Sequence, residues 1–395
     1  MNSEHGKLLV VDDNEMNRDM LSRRLGRRGH SVVTAEDGRS ALECIGRESF
    51  ELVLLDIEMP GMDGFEVLRT IRETFDPSDL PVVMATARTD SDDIVRALKS
   101  GANDYVTKPL DFPVVLARVE TQLALKRSKD ALSAAHARMK RDLDAAARVQ
   151  QALLPSESPK AGRYRFAWQY RPCDELAGDS LNVFKIDDRY IGLYVLDVSG
   201  HGVPAALLSM TATHRLGRRE GRASLVTDPV DEPPGYVIVS PAEVARRLNG
   251  LYQMAANGNR YFTMIYGVLD THAHKFRFVA AGHPGPVLVR RDQPARILDT
   301  PALPIGVAEE SDYEDTVLDL ESGDRLYLHS DGVNEERNSE DQEFGRPRLC
   351  STLAGSNSLS LASSLDRLVE EVIAWRGDDR FNDDVSILGL ELGDA

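Results

Sequence analysis

Short apolar runs alternate with amphipathic stretches along the first third of the chain. Strands that are buried on both faces of a sheet form continuous apolar runs, and helices between them make the crossovers. Two stretches with helical periodicity are Arg18–Arg27 and Gly64–Thr74. The pattern repeats five times, which predicts an α/β doubly wound domain with a five-stranded parallel sheet over residues 7–122. The predicted strands are Leu8–Val11, Val32–Thr34, Leu52–Leu55, Val82–Ala85 and Asp104–Val106.

Residues 123–155 predict one long, charged, Ala-rich helix that links two domains and ends at Pro155. An apolar residue recurs every seven positions, which keeps one seam of a helix facing a partner helix. The second seam position is less regular, because Ser128 and Asp142 occupy it. The pattern favours a two-stranded coiled coil, and hence a homodimer through this linker, over a helix docked on its own chain. The seam residues are Leu125, Leu132, Met139, Ala146 and Leu153.

Short β-like runs dominate residues 160–393 and predict an α+β domain with largely antiparallel strands. Residues 218–240 are rich in Arg, Gly, Pro and Asp without periodicity, which predicts a flexible loop or flap. The predicted strands are Phe166–Tyr170, Ile191–Asp197, Phe262–Leu269, Lys275–Ala280, Pro286–Arg290, Arg325–His329 and Val385–Leu390. The predicted helices are Pro204–Arg215, Pro241–Met254 and Leu359–Trp375.

Composition narrows the choice of partners. The formal net charge of −17 argues against nucleic acid, because phosphate binding needs clustered Lys and Arg. Cys44, Cys173 and Cys350 lie far apart, which indicates neither a zinc site nor a disulfide framework. The N-terminus does not resemble a signal peptide, and no apolar run is long enough to cross a bilayer. We therefore expect a cytoplasmic protein with no membrane partner.

Acidic residues follow two of the first five predicted strands. Asp12 and Asp13 follow the first strand, and Asp56 follows the third. The carboxyl ends of parallel strands form the ligand-binding edge of an open sheet, and oxygen ligands suit Mg²⁺. Thr86 and Lys108 end the fourth and fifth strands, where they would bind an anion. Each aspartate alone is explained by a helix cap or turn, but together they predict a phosphoacceptor, with Asp56 as the nucleophile.

These residues resemble the receiver domains of response regulators. The similar stretches are "LLVVDDNEMNR", "LVLLDIEMPGMDGFEVLR", "VVMATAR" and "GANDYVTKPLD". The resemblance implies a sensor histidine kinase as partner, Mg²⁺ as cofactor and a cis Lys108–Pro109 bond. It also implies a role for each matching residue: phosphoacceptor Asp56, metal ligands Asp12, Asp13 and the Glu58 carbonyl, switch residues Thr86 and Tyr105, and phosphate-contacting Lys108.

A second set of acidic clusters lies beside the β-like runs of the C-terminal half. Asp-Gly pairs are usually turns, but four clusters near strand ends indicate a shared site. Glycines at 178, 200, 202 and 332 would let backbone approach a bound ion. So many carboxylates in one cleft would require two divalent cations, which make water acidic enough to attack a phosphate ester near neutral pH. The clustered residues are Asp179, Asp197, Asp331, Asp383 and Asp384.

The C-terminal half contains neither a P-loop nor a G-x-S-x-G nucleophile elbow. It resembles the metal-dependent PPM-type phosphatases, in the bacterial branch typified by RsbU and SpoIIE. The similar stretches include "RVQQALLP", "LAGDS", "YVLDVSGHGVPAALLSM", "FVAAGHPGPVLV", "LHSDGVNEERNSEDQEFG" and "NDDVSIL". Where many members have a second aspartate after Gly-Gly-Asp-Phe-Tyr, this chain has Asn182.

That resemblance implies a β-sandwich, two Mn²⁺ or Mg²⁺ ions and a role for each acidic cluster. Asp179 and Asp197 would bridge the metals, and the Val198 backbone carbonyl would add a ligand. Asp331 and Asp383 would complete the set, with Asp384 as the alternative to Asp383. The implied substrate is a phosphoserine or phosphothreonine on an anti-anti-σ-type protein of a partner-switching pathway.

Three interpretations of the whole chain remain. In the first, phosphorylation of Asp56 controls a protein phosphatase through the linker helix. In the second, the C-terminal fold is catalytically idle and the chain binds or sequesters a partner protein. In the third, a diffusible receiver serves as a phosphate sink, which leaves the C-terminal half unexplained. The intact set of aspartates favours the enzyme. Three histidines near the motifs are more often packed than catalytic: His201, His283 and His329.

Overall fold

The computed structural model of the chain describes residues 5–86, 91–217 and 224–394, without the side chains of 91–93. The chain forms two compact units, Met1–Lys140 and Arg141–Ala395. Within the described residues, no helix is both long and apolar enough to cross a membrane.

The first unit contains a five-stranded sheet in the order β2-β1-β3-β4-β5, and every neighbouring pair is parallel. This confirms the predicted doubly wound α/β domain. Its strands are β1 (Lys7–Val11), β2 (Ser31–Ala35), β3 (Leu52–Asp56), β4 (Val82–Thr86) and β5 (Asp104–Thr107). Its helices are α1 (Glu15–Arg27), α2 (Gly38–Arg47), α3 (Gly64–Thr74), α4 (Ser91–Lys99) and the start of α5 (Phe112–Gln151).

The apolar runs become the centre of this unit because helices cover both faces of the sheet. Every residue of β3 and of β4 is buried. Separate apolar clusters cover the two faces of the sheet, one against α2 and α3 and the other against α1 and α5. The helix α3 begins at a capping box, in which the Asp63 carboxylate accepts a hydrogen bond from Glu66 N at 2.8 Å.

The long helix α5 links the two units, as the sequence predicts. Three of the five heptad residues are open to solvent in the single chain: Leu125 is 60% exposed, Leu132 73% and Met139 61%. Apolar side chains exposed on one face are what a seam for a partner helix requires. Pairing with a second chain remains a prediction.

The second unit contains two antiparallel five-stranded sheets, in the orders β15-β12-β11-β8-β7 and β14-β13-β16-β17-β6. Its strands are β6 (Tyr164–Arg171), β7 (Ser180–Lys185), β8 (Tyr190–Val198), β9 (Thr227–Pro229), β10 (Tyr236–Ile238), β11 (Phe262–Asp270), β12 (Lys275–Ala281), β13 (Val287–Val289), β14 (Arg296–Ile297), β15 (Thr316–Asp319), β16 (Arg325–His329) and β17 (Val385–Leu392). Its helices after α5 are α6 (Val203–Leu216), α7 (Pro241–Leu251), α8 (Gly345–Gly355) and α9 (Leu361–Arg376).

The two sheets face each other across an apolar core, which makes a β-sandwich. Helices α6 and α7 cover the outer face of one sheet, and α8 and α9 cover the outer face of the other. The core positions alternate along each strand, so that one side of the strand meets the facing sheet and the other meets a helix. The predicted α+β sandwich is therefore confirmed.

The structure corrects the prediction of a loop at 218–240. Residues 218–223 lie outside the described residues, but 224–240 contain the antiparallel hairpin β9–β10. The hairpin borders a cavity of about 440 Å³ that also involves β12 residues Lys275 and Arg277. Its strands were missed because each has three residues, too few for a period-two pattern to be recognised.

Candidate functional sites

Asp56 lies at the end of β3, where it is almost fully buried. Lys108 follows β5 and places its Nζ 2.5 Å from Asp56 Oδ2 and 3.0 Å from Asp12 Oδ2. Carboxylate oxygens of Asp12, Asp13 and Asp56 all lie within 4.8 Å of one another. The parallel strands thus bring the acidic residues and the lysine to one edge of the sheet, as predicted.

The charges at this edge are not balanced by the lysine alone. Burial raises the pKa of Asp56, Lys108 lowers it, and the nearby Asp12 carboxylate raises it again. Burial lowers the pKa of Lys108, but its hydrogen bonds to Asp56 and Asp12 outweigh that effect and raise it. A nucleophilic carboxylate must be ionised, so the site suits a small divalent cation that offsets the remaining negative charge.

Backbone and side-chain contacts that the sequence did not reveal position the acidic residues. The amide of Asn17 donates to both carboxylate oxygens of Asp12, at 3.2 and 3.1 Å. Arg18 donates to the carbonyl oxygens of Asp12 and Asp13, at 2.7 and 2.9 Å. Residue 58 lies beside Asp56, because Glu58 N donates to Asp56 Oδ1 at 3.3 Å.

The remaining predicted receiver residues lie on the same edge or on the adjoining strand. Thr86 ends β4 and is buried, and its carbonyl accepts a hydrogen bond from Lys108 N at 2.7 Å. Tyr105 is half-buried on β5, in register with Met84. The Lys108–Pro109 peptide bond is cis, which confirms the prediction.

The second set of aspartates gathers at one end of the β-sandwich. Ser180 pairs with Leu196 in the β7–β8 ladder, so Asp179 and Asp197 occupy adjacent ends of neighbouring strands. In the other sheet, β16 and β17 pair, so that the turn starting at Asp331 meets the segment that ends at Asp384. Electrostatic interactions connect these carboxylates in a chain: Asp179 interacts with Asp197, Asp197 with Asp331 and Asp383, and Asp383 with Asp384.

Exposure increases across this cluster from a buried floor to an open rim. Asp179 is 2% exposed, Asp197 and Asp331 are half-buried, and Asp383 is exposed. A site of this shape keeps its most buried carboxyl group away from water while leaving a route from solvent.

Burial and the charge of neighbouring carboxylates raise the pKa of Asp179, Asp197, Asp331 and Asp383. Burial is the largest cause that holds the pKa of Asp179 well above its usual range, and the charges of Asp197 and Asp384 add to it. Burial, together with the charges of Asp331 and Asp383, raises the pKa of Asp197 to about 8. Burial, together with the charges of Glu335 and Asp383, raises the pKa of Asp331 to about 6. These groups cannot all ionise together at neutral pH unless cations join them.

Two glycines allow the backbone to close around the cluster. A β-carbon on Gly178 would lie 2.9 Å from the Val198 carbonyl oxygen, a metal ligand implied by the resemblance to PPM-type phosphatases. A β-carbon on Gly332 would lie 2.2 Å from the Asp384 carbonyl oxygen. Side chains at these positions would therefore push apart the segments that carry the aspartates.

Asp384 uses its carboxylate to hold the backbone. Its Oδ1 accepts from Cys173 N at 2.8 Å, and its Oδ2 accepts from Gly178 N at 2.7 Å and Asp179 N at 3.3 Å. These bonds occupy the buried carboxylate, whereas that of Asp383 is exposed at the rim. The Asp384 carboxylate thus positions the backbone at 178–179, while the Asp383 carboxylate is exposed to solvent.

Cys173 is a neighbour that the sequence analysis did not connect with this site. Its Sγ and a carboxylate oxygen of each of Asp383 and Asp384 lie within 4.8 Å of one another. Burial, followed by the Asp384 charge, raises the pKa of this thiol to about 12. A thiol so far from ionisation is a poor ligand, because metals bind the thiolate.

Of the three histidines near the motifs, His283 and His329 are buried and His201 is exposed. Burial lowers the pKa of His283 to about 3 and that of His329 to about 4, so both are neutral packed side chains. His283 Nδ1 lies 2.7 Å from Thr263 Oγ1, and His329 Nδ1 lies 3.0 Å from the Ser330 carbonyl oxygen. His201 is 74% exposed and lies 3.1 Å from Asp174, which leaves it available at the rim.

Comparison with known families supports both halves. Residues 8–120 match the response regulator receiver domain. Residues 187–393, more than half of the chain, match the family described as Stage II sporulation protein E (SpoIIE). That match includes Asp197, Asp331 and Asp383 but begins after Asp179.

The curated relatives cover less of the chain. The transcriptional regulatory protein HprR of Escherichia coli (strain K12) is 40% identical over 117 residues, which is 30% of this chain and 51% of that protein. AfsQ1 of Streptomyces coelicolor is 42% identical over 116 residues, which is 29% of this chain and 50% of that protein. The chain thus spans about half the length of these relatives.

Among solved structures, the SiaA-PP2C domain of Pseudomonas aeruginosa is similar with a TM-score of 0.53 at 21% identity. The match covers 66% of this chain and 99% of that domain. At this identity the likeness concerns the fold alone, and it agrees with the β-sandwich described above.

Proposed function

Because the chain belongs to the Stage II sporulation protein E (SpoIIE) family and also carries a receiver domain, we propose that it is a response regulator with a metal-dependent phosphatase as its output. The observation that carries the proposal is the gathering of Asp179, Asp197, Asp331 and Asp383 at one end of the sandwich, each with a raised pKa. Perturbed carboxylates in a cleft are typical of functional sites.

The residues fit two divalent cations. Asp179 Oδ2 is buried and, among the described residues, has no hydrogen-bond partner, which is costly unless a ligand occupies that position. Asp179, Asp197, Asp331, Asp383 and the Val198 carbonyl supply hard oxygen ligands of the kind that Mn²⁺ and Mg²⁺ accept. The bound cations would supply a water acidic enough to act as nucleophile near neutral pH.

The protein's own residues keep this arrangement ready. Asp384 holds the backbone at 178–179 through its hydrogen bonds, so the floor of the cleft keeps its shape. Tyr170 donates its hydroxyl to the Asp179 carbonyl at 3.3 Å, which fixes the same residue from another strand. Preorganised groups of this kind avoid the cost of rearrangement during the reaction.

The substrate that we propose is a phosphoserine or phosphothreonine on a protein of the anti-anti-σ type, in a partner-switching pathway. The support is the resemblance of the C-terminal motifs to RsbU- and SpoIIE-type phosphatases. The exposed rim at Asp383 suits a phosphorylated side chain presented on the surface of a folded protein.

The control that we propose begins with a sensor histidine kinase, which phosphorylates Asp56 with the help of Mg²⁺ held by Asp12, Asp13 and the Glu58 carbonyl. Helix α5 connects the receiver to the phosphatase, and pairing of α5 in a homodimer would carry the signal. Phosphorylation of Asp56 is proposed to order the phosphatase and to raise its turnover.

The test is a Mn²⁺-dependent assay on a phosphoserine peptide, with and without treatment of the protein by acetyl phosphate. We expect hydrolysis that acetyl phosphate accelerates, and that Asp197→Asn abolishes. Asp56→Asn should keep the basal rate and lose the acceleration. A chain that binds Mn²⁺ but hydrolyses neither peptide nor phosphoprotein would instead be the idle, partner-binding protein.

A further inference from the structure

Gln150 stands out on helix α5 because it is buried, at 7% exposure, near the end of a largely solvent-exposed helix. Its side-chain amide forms two hydrogen bonds with a single residue. Gln150 Nε2 donates to the Ala177 carbonyl at 2.7 Å, and Ala177 N donates to Gln150 Oε1 at 3.2 Å. The amide thus satisfies both backbone groups of Ala177 in a buried place.

Ala177 begins the short segment that carries the most buried aspartate of the cleft. Gly178 N and Asp179 N, which follow it, both donate to Asp384 Oδ2. The segment is therefore held from two sides, by the last turns of α5 and by the carboxylate of Asp384. Gly178 also packs against the Val198 carbonyl, so a shift of this segment would move two proposed ligands together.

We infer that Gln150 is a positioning residue that makes the divalent-metal affinity of the phosphatase depend on how the end of α5 is seated. The inference rests on the proposed function and adds the contact through which the linker acts. When α5 ends in the observed position, Gln150 fixes Ala177 and, through it, Asp179 and the Val198 carbonyl. When the helix rotates or slides, both bonds break together, because neither tolerates a displacement of more than about an ångström.

The residue type agrees with this role. If position 150 only filled space, an apolar side chain would suit it better, because burying an amide is unfavourable unless its donor and acceptor are both paired. Here both are paired with the backbone N–H and C=O of one residue, Ala177, which gives the contact an all-or-none character. A device with two distinct arrangements is what coupling between distant sites requires.

Gln151 provides a matched control, because it is the same residue type at the next position but is exposed. Full-length Gln150→Met and Gln151→Met would be compared with the unsubstituted chain by calorimetric titration with Mn²⁺ and by thermal unfolding. We expect Gln150→Met to weaken Mn²⁺ binding about tenfold, as for a typical coupling between sites, and Gln151→Met to leave it unchanged. At saturating Mn²⁺, the Gln150→Met variant should recover most of its kcat.

Gln150→Glu gives a second variant that keeps the size of the side chain and the bond from Ala177 N. It should also weaken Mn²⁺ binding, because the donor to the Ala177 carbonyl is lost. Equal Mn²⁺ affinity in all four proteins, whatever their melting temperatures, would overturn the inference and leave the proposed phosphatase intact. If the unsubstituted chain itself does not bind Mn²⁺, the proposed function fails, and the inference fails with it.

Discussion

Gly178 lies so close to Val198 that a β-carbon at position 178 would be 2.9 Å from the Val198 carbonyl oxygen. It would also lie 3.1 Å from the carbonyl oxygen of Gly200, in the loop after β8. This approach joins the segment before β7 to the loop after β8. The first segment carries Asp179, and the loop follows Asp197, which lies near the end of β8. The absence of a side chain at 178 therefore determines how closely these aspartates meet.

Gly178→Ala should therefore weaken metal binding more than it weakens the fold. The added methyl group forces the two segments apart, at a cost of about 1–3 kcal/mol for an overpacked site. We expect the Kd for Mn²⁺ to rise tenfold or more, measured by calorimetric titration. Gly250→Ala, at an exposed position of α7 with open space around it, should leave the Kd unchanged and stabilise the fold by about 0.5–1 kcal/mol.

The raised pKa of Asp197 predicts a pH-dependent stability of the metal-free protein. The pKa is about 8 when folded, against about 4 when unfolded, so the folded state binds the extra proton between these values. The free energy of unfolding should fall as pH rises from about 4 to about 8. Asp197→Asn removes this effect and should stabilise the metal-free protein at pH 8 by on the order of 2 kcal/mol, after allowance for solvent screening.

Thermal unfolding in the presence of a chelator, at pH 5 and pH 8, measures this effect. Added Mn²⁺ should raise the melting temperature of the unsubstituted chain more at the higher pH, because binding must release fewer protons there. The Asn variant should show little response to Mn²⁺ at either pH. A variant less stable than the unsubstituted chain at the higher pH would contradict the electrostatic account.

Most strands and the sheet of the receiver could be predicted, because short apolar runs bounded by polar residues indicate buried strands. The predicted helix Gly64–Thr74 agrees with the observed one, and each predicted strand lies within one or two residues of its observed bounds. The acidic edge followed from topology alone, since parallel strands bring their carboxyl ends together. The contacts of Asn17 and Arg18 could not be predicted, because they depend on side-chain directions.

The sandwich was predicted less completely, for reasons that individual elements make clear. The strand Ser180–Lys185 was missed because its alternating pattern runs directly on from the acidic motif before it. The helix Gly345–Gly355 was missed because only Leu349 and Leu353 are buried among its residues, and Pro347 lies within it. The different surroundings of Asp383 and Asp384 could not be predicted, since only the folded backbone decides which carboxylate binds the amides at 178–179 and which is exposed.

Gly64→Ala should impair phosphorylation of the receiver. A β-carbon at position 64 would lie 2.2 Å from the carbonyl oxygen of Asp56, so the end of β3 must move. We expect incorporation of phosphate from labelled acetyl phosphate to fall at least tenfold, together with a lower melting temperature of the receiver. Gly46→Ala, in α2 with nothing within 4 Å of the added carbon, should be phosphorylated normally. Normal labelling of both variants would show that the position of Asp56 tolerates this shift.

The exposed seam of α5 gives the last prediction, which concerns the homodimer. Leu132 is 73% exposed and Met139 61%, one heptad apart on the same face of the helix. In a two-stranded coiled coil, these side chains would be buried against their counterparts, so Leu132→Glu with Met139→Glu would place four carboxylates in the seam. Light scattering after size exclusion should then show a dimer for the unsubstituted chain and a monomer for the double variant. Ala137→Glu, also exposed but on the opposite face of the helix, should remain dimeric. If the unsubstituted chain is instead monomeric both before and after treatment with acetyl phosphate, that result would remove the seam from the proposed signal path. The signal path would then rest on the contact of Gln150 with Ala177.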